Sequence, residues 1–225
     1  MHQILRLEGN NVALVAKSIT KTIRGKVILD NISLSLVPGT VYGFVGRNGS
    51  GKTMLFRALS GLMTVSSGSV FWNDKELHKE FAVLPNMGIV LENVGLYPEM
   101  TGIENLQYLA QLKGTIGLEE IKTALVRVGL YPEDKRTYRK YSLGMKQRLA
   151  IAQAIMEKPD VIMLDEPTNG LDEDGVKQIR ELILDEKKRG ALILLASHNK
   201  EDISLLADHL YRIEAGAIID QEENI

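Results

Sequence analysis

The segment "GRNGSGKTM", residues 46–54, gives the clearest indication of how this chain folds. It follows the apolar run "VYGFV" and leads into "TMLFRALSGLM", whose apolar residues recur at helical spacing. A strand, then a tight loop, then a helix is the arrangement found around loops that bind phosphate. Gly46, four further residues and then "GKT", which contains Lys52 and Thr53, satisfy the spacing of the Walker A motif. The sequence therefore predicts a nucleotide phosphate site here.

Each residue type in this loop has a physical role. Glycines allow successive backbone N–H groups to point at phosphate oxygens. Lys52 would place a positive charge between the β- and γ-phosphates, and Thr53 would offer a hydroxyl to Mg²⁺. The following helix presents its N-terminus to the same anion. We expect nucleotide contacts from Gly46, Arg47, Asn48, Gly49, Ser50, Gly51, Lys52, Thr53 and Met54.

The flanking strand and helix disfavour the alternative that a glycine-rich turn matches the motif by chance. The loop alone does not define the reaction, because kinases, GTPases and motor ATPases all use it.

The composition is that of a globular protein without covalent cross-links. The 225 residues are 44% hydrophobic and 25% charged, carry a formal net charge of -2 and include no cysteine. This charge gives no electrostatic reason to expect a nucleic-acid partner, and disulfides and thiolate metal sites are excluded. Apolar runs such as "ALILLA" are far shorter than the roughly 18 residues that span a bilayer. Any membrane role would therefore require another chain, and a cytoplasmic setting is expected.

The order of strands and helices predicts an α/β fold with a P-loop NTPase (RecA-like) core and a mostly parallel sheet. An N-terminal antiparallel β subdomain and a helical insertion accompany this core. The chain is treated as a single domain, 1–225, with three parts. The expected bounds are about 1–40 and 64–80 for the antiparallel part, 41–63 and 157–225 for the core, and 93–156 for the helical part.

Two acids follow a short apolar strand in "VIMLDE". In an open parallel sheet, ligands bind at the carboxyl ends of strands. Asp165 is expected to hold Mg²⁺, and Glu166, which points elsewhere because strand side chains alternate, is expected to act as general base toward water. His198 follows the strand "ALILLAS" and is expected to donate to the γ-phosphate; with Lys52 it completes the predicted catalytic set. A solvated turn and a structural histidine are the alternatives.

An ordered set of motifs resembles the ATP-binding cassette (ABC) transporter ATPases. After the Walker A loop come "YSLGMKQR" (141–148, the signature), "VIMLDEP", "NGLD" (169–172) and "SH", covering essentially the whole chain. The resemblance implies Mg²⁺-ATP and a head-to-tail dimer, in which two ATP molecules lie between the Walker A loop of one subunit and the signature of the other. Ser142, Gly144 and Asp172 would then join the nucleotide site. Ser142 is also a natural helix N-cap, and the two roles are compatible.

Three positions depart from the family pattern. The usual signature L-S-G-G-Q is replaced by Tyr-Ser-Leu-Gly-Met, so one glycine is missing. Glu92 stands where a glutamine normally contacts Mg²⁺, either as a metal ligand or as a solvated loop acid. Ile23 replaces the aromatic residue that stacks on adenine, which predicts weak discrimination between ATP and GTP.

The motifs resemble in particular the cassettes of bacitracin and lantibiotic exporters. This resemblance implies a subunit on the inner face of the cell membrane that docks on a separate permease through the surface around 92–104 and the helical insertion. A soluble ABC-type ATPase of translation or DNA maintenance is the alternative function, and a P-loop kinase is a further one. Cargo, direction of transport and the choice between homodimer and heterodimer remain open at this point.

Overall fold

The fold is built on two sheets. The computed structural model describes residues 14–91 and 95–223. Its strands are β1 (Leu14–Ile23), β2 (Lys26–Leu36), β3 (Val41–Val45), β4 (Ser67–Trp72), β5 (Lys75–Glu76), β6 (Met87–Val90), β7 (Val161–Asp165), β8 (Leu192–Ala196), β9 (His209–Glu214) and β10 (Ala217–Glu223). Its helices are α1 (Lys52–Ser60), α2 (Gly102–Lys113), α3 (Leu118–Arg127), α4 (Leu143–Ile155), α5 (Glu173–Lys188) and α6 (Lys200–Leu206).

The smaller sheet is antiparallel, in the order β2-β1-β4-β5. The larger sheet has the order β10-β9-β3-β8-β7-β6, and all its strand pairs are parallel except β9 with β10. The α/β class, the mostly parallel core sheet and the N-terminal antiparallel sheet are confirmed. Strands β9 and β10 form a closing hairpin, and β9 also pairs in parallel with β3, which makes it part of the core sheet.

The larger sheet separates two hydrophobic cores. Strands β7 and β8 are buried along their whole length, as expected for parallel strands covered on both faces. On β7, Ile162 and Leu164 pack into a core shared with α2 to α6, whereas Val161 and Met163 pack into a core shared with α1 and the antiparallel sheet. The helices are therefore distributed over both faces, and the loops between layers lie at the strand ends.

Helix α4 approaches the sheet closely. A Cβ added to Gly88 on β6 would lie 1.9 Å from the carbonyl oxygen of Ala154, so only glycine permits this contact. The same helix begins at the signature. Its orientation on the sheet thus sets where the signature lies.

Phe44 is a sensitive point of the core below the Walker A loop. Its ring packs edge-on against Phe56 at 5.4 Å and stacks on Tyr211 at 5.3 Å between ring centroids. Phe44→Ala should lower the free energy of unfolding by about 3–5 kcal/mol, because it removes buried apolar surface and leaves a cavity. Urea unfolding followed by circular dichroism measures this change. Tyr131→Ala is the matched control at a largely exposed ring and should change stability by about 0.5 kcal/mol or less; equal losses in the two variants would contradict the prediction.

Candidate functional site

The Walker A loop wraps around the lysine side chain. Lys52 Nζ donates to the carbonyl oxygens of Gly46 at 2.8 Å and Arg47 at 3.3 Å. Gly51 precedes α1 with φ of 115°, a conformation in which glycine is favoured, and its carbonyl oxygen accepts from Leu55 N. The lysine is therefore held over the loop, with its ammonium group beside the backbone that would surround a phosphate.

The loop has no space for larger side chains at its first glycine. A Cβ on Gly46 would lie 2.3 Å from the carbonyl oxygen of Ile213 and 2.6 Å from Ser50 Oγ. Among the described residues, the Ser50 hydroxyl is a buried side-chain group with no hydrogen-bond partner. A buried polar atom without a partner is costly, so a ligand oxygen at this loop would satisfy it. The donors and the close backbone fit a phosphate chain.

Thr53 and Asp165 meet although 112 positions separate them in the chain. Thr53 Oγ1 donates to Asp165 Oδ2 at 2.5 Å. Thr53 lies in the first turn of α1, after β3, and Asp165 ends β7, with β8 between the two strands. The two oxygen-bearing side chains predicted to hold Mg²⁺ thus lie together beside the Walker A loop.

Glu166 and His198 also come together. Glu166 Oε1 accepts from His198 N at 3.0 Å, and Oε2 lies 2.7 Å from the ring Nδ1 of His198. Glu166 has a left-handed backbone, with φ of 53°, and its N–H donates to the carbonyl oxygen of Ala196 at 2.8 Å. Such a conformation persists only where surrounding contacts hold it, and it is concentrated at functional sites.

The signature begins helix α4. Ser142 is the N-cap, and its hydroxyl accepts from Met145 N at 3.2 Å. Leu143 is 69% exposed, and Gly144 lies against the backbone of Gly170, whose carbonyl oxygen would be 2.9 Å from an added Cβ. The N-cap role of Ser142 is confirmed, and the start of the helix is left open to a partner.

Gln147 is a contact that the sequence did not reveal. Its Nε2 donates to the carbonyl oxygens of Glu166 and Pro167, each at 3.1 Å. The residue lies within the quoted signature, but a glutamine in a helix carries no local signal for a backbone contact elsewhere. Helix α4 therefore holds the turn that carries the predicted general base.

Some predicted residues have other settings. Asp172 caps α5 by accepting from Gly175 N at 3.0 Å, and it also accepts from Arg148 at 3.4 Å. Ile23 ends β1 and is partly exposed. The turn that follows it leads into β2, the strand that lies against Gly51. Glu92 lies outside the described residues.

In the Walker A loop, Arg47, Asn48 and Gly49 are exposed, and Met54 packs against the core. Within residues 14–91 and 95–223, no hydrogen bond joins Ser142 or Gly144 to this loop.

The fold and this site together define a P-loop ATPase. Residues 29–169 match the ABC transporter family. The chain is 45% identical over 208 residues to an uncharacterised ABC transporter ATP-binding protein, YybJ, of Bacillus subtilis, covering 92% of this chain and 95% of the relative. It is 37% identical to the bacitracin transport ATP-binding protein BcrA of Bacillus licheniformis, covering 90% of this chain and 67% of that one. It is 34% identical to the lantibiotic transport ATP-binding protein SrtF of Streptococcus pyogenes, covering 93% and 90%.

Solved structures share the fold. A dimeric post-hydrolysis state of the ATP-binding cassette MJ0796, bound to ADP and phosphate, superposes with a TM-score of 0.85 at 21% identity, covering 94% of this chain and 99% of that one. The chain belongs to the ABC transporter family and is an ABC-type ATPase. Within the part of the chain that the structure describes, none of the helices has the length and apolar character to cross a bilayer.

Gly46→Ala tests the phosphate cradle. Since its Cβ would overlap the Ile213 carbonyl and Ser50 Oγ, we expect the affinity for ATP to fall by about tenfold or more, or 1.4 kcal/mol. Isothermal titration calorimetry measures this affinity. Gly117→Ala is the matched control, because its φ of -109° suits any residue and its added Cβ meets only an ordinary 3.4 Å contact. Unchanged ATP binding by Gly46→Ala would count against this site.

Proposed function

We propose that this chain is the ATP-hydrolysing subunit of a membrane exporter of drugs or peptide antibiotics, working on the inner face of the membrane. The observation that supports it most directly is the convergence of the Walker A loop, Thr53, Asp165, Glu166 and His198 at one edge of a parallel sheet. The named relatives that transport bacitracin and lantibiotics support the class of cargo.

The loop and the first acid would bind Mg²⁺-ATP. The backbone of residues 46–51 and Lys52 would bind the phosphates, with Ser50 supplying a further hydroxyl. Thr53 Oγ1 and the Asp165 carboxylate, which already meet, would hold Mg²⁺ directly or through water. The ion, when bound, would neutralise charge on the phosphate oxygens.

Glu166 would then act on water as general base. Its carboxylate is oriented by two contacts from His198, the backbone N–H and the ring nitrogen. The histidine ring is mostly exposed, and in this proposal it would also donate a hydrogen bond to the γ-phosphate. A base that acts on water favours hydrolysis over transfer to a substrate hydroxyl.

A second subunit would complete the site. Ser142 and Gly144 lie at the exposed start of α4, where a helix N-terminus favours an anion, and the exposed Leu143 offers apolar surface beside them. We propose a head-to-tail dimer in which these residues, with Asp172 at the start of α5, face the nucleotide of the partner. Such a pair is symmetric and needs one cassette per chain.

Two residues that depart from the family pattern, Glu92 and Ile23, also belong to the proposed nucleotide site. Glu92 would contribute a carboxylate near Mg²⁺, and Ile23 would give adenine apolar contact without stacking, with weak discrimination between ATP and GTP.

The permease would dock beside α2. Tyr97 and Tyr108 form an edge-to-face pair, 5.1 Å between ring centroids, and both rings are partly exposed. Tyrosine is enriched in the centres of protein interfaces because it buries a large apolar ring while its hydroxyl stays hydrogen-bonded. Tyr97 lies within residues 92–104 and Tyr108 lies on α2 of the helical insertion, the two parts of the surface predicted to receive the permease.

Glu166→Gln separates hydrolysis from binding. The amide keeps the shape of the carboxylate but cannot accept a proton from water, so turnover should fall by about 10²-fold or more while ATP affinity is retained. Phosphate release and calorimetry measure the two quantities. Glu173→Gln, at an exposed acid of α5, should behave as wild type.

The same variant tests the dimer. With turnover blocked, Glu166→Gln should dimerise when ATP is added, as seen by size-exclusion chromatography with light scattering. Adding Ser142→Arg should prevent this dimer without abolishing ATP binding to the monomer, because the new side chain occupies the start of α4. ATP-dependent dimers in the double variant would contradict the head-to-tail arrangement.

Tyr97→Arg tests permease docking. A charge at the centre of an apolar contact should reduce co-purification with a candidate permease encoded by a neighbouring gene by about tenfold. The ATPase rate of the isolated subunit should not change. Tyr131→Arg, at an exposed tyrosine after α3, is the control. Equal recovery of both variants from solubilised membranes would argue against this docking surface.

A further inference from the structure

A fully buried carboxylate lies under the proposed catalytic pair. Asp202, on α6, is 0% exposed and lies four positions after His198. Burying an ionised carboxylate costs several kcal/mol unless charged and hydrogen-bonding partners compensate. The groups that pair with the Asp202 carboxylate therefore indicate why an acid is buried there.

Both oxygens of Asp202 are used. Oδ1 accepts from Arg180 of α5, at 2.7 Å from Nε and 2.6 Å from Nη2. Oδ2 accepts from Thr168 Oγ1 at 2.5 Å and from Ser197 Oγ at 3.4 Å. Burial acts to lower the pKa of Arg180, but its hydrogen bonds with Glu201 and Asp202 outweigh burial and raise that pKa. The guanidinium thus stays charged, and one oxygen of Asp202 is left for the two hydroxyls.

The two hydroxyls belong to the turns that carry the proposed catalytic groups. Thr168 lies two positions after Glu166, and Ser197 directly precedes His198. Ser197 Oγ also accepts from Asn199 N at 3.1 Å, on the other side of the histidine. A single carboxylate oxygen therefore joins the turn after β7, which carries Glu166, to the turn after β8, which carries His198.

We propose that Asp202 is a positioning residue for hydrolysis, which through Thr168 and Ser197 keeps the Glu166 carboxylate and the His198 ring in register. The proposal rests on the roles of Glu166 and His198 given under the proposed function. Glu166 has a left-handed backbone that needs external contacts, and the hydrogen bond from Thr168 restrains the same turn. A misplacement of about 1 Å in a reacting group can cost 10²-fold in rate, so a small shift of either turn matters. The alternative is that the network only fastens α5 to α6, which would affect stability and not chemistry.

Thr168→Val isolates the positioning contact, because valine has the shape of threonine but no hydroxyl to donate to Asp202. We expect kcat for ATP hydrolysis to fall by about tenfold or more, with the KM for ATP within about twofold of wild type. Thr168→Ser restores a hydroxyl at the same place and should recover most of kcat. Ser197→Ala should lower kcat in the same way, and the double variant should lose less than the product of the two single losses, since both act through one carboxylate oxygen.

Glu201→Gln is the matched control. Glu201 is the exposed partner of the same guanidinium, Arg180, at 3.0 Å, so its loss weakens the link between the helices without touching either turn. Its kcat should equal that of wild type. Thermal unfolding of all variants shows whether any loss of rate follows stability alone.

Wild-type kcat in Thr168→Val would overturn the proposal. So would a loss of kcat that Thr168→Ser does not recover, or one that Glu201→Gln shows equally. Glu166→Gln in the same assay separates this inference from the function on which it rests. If Glu166→Gln still turns over, the proposed role of Glu166 fails; if Glu166→Gln is inactive and Thr168→Val is normal, only the positioning role fails.

Discussion

The constraint on which this structure depends is the burial of β3, β8 and β7 on both faces. Helices and a second sheet cover these strands, and the three strands run parallel, so their carboxyl ends lie at the same edge of the sheet. The Walker A loop, Asp165, Glu166 and His198 each follow or end one of these three strands. The contact of Thr53 with Asp165 and that of Glu166 with His198 are the direct results.

The strand ends alone would not hold these groups in place, because turns are the least restrained part of a sheet. Two helices, α4 and α6, supply the restraint. Gln147 of α4 donates to the backbone of Glu166 and Pro167, and Asp202 of α6 accepts from Thr168 one position later. Helix α4 also starts at the signature and packs directly on the sheet at Gly88. The surface proposed to meet the partner's nucleotide and the proposed general base are therefore attached to one rigid element.

Local sequence patterns were sufficient to predict much of the fold. The strand, loop and helix around residues 46–54, the buried strand ending at Asp165 and the helix after Ser142 are all present, because periodicity and capping act over a few residues. The pairing of β9 with β3 was not predicted, since a terminal hairpin pattern does not show which third strand it joins. Asp202 was missed for a similar reason: in sequence it reads as an ordinary acid in the first turn of a helix.

The sequence by itself determined which residues could bind and cleave a phosphate, because the spacing of glycines, lysine and hydroxyl in one loop is a local property. It also determined the family, through the order of its motifs. Only the tertiary structure decided which of these residues meet. Thr53 and Asp165 are 112 positions apart, and Glu166 and His198 are 32 apart. Such pairs form only when parallel strands are packed side by side, and that order results from burial over the whole chain, which no short segment encodes.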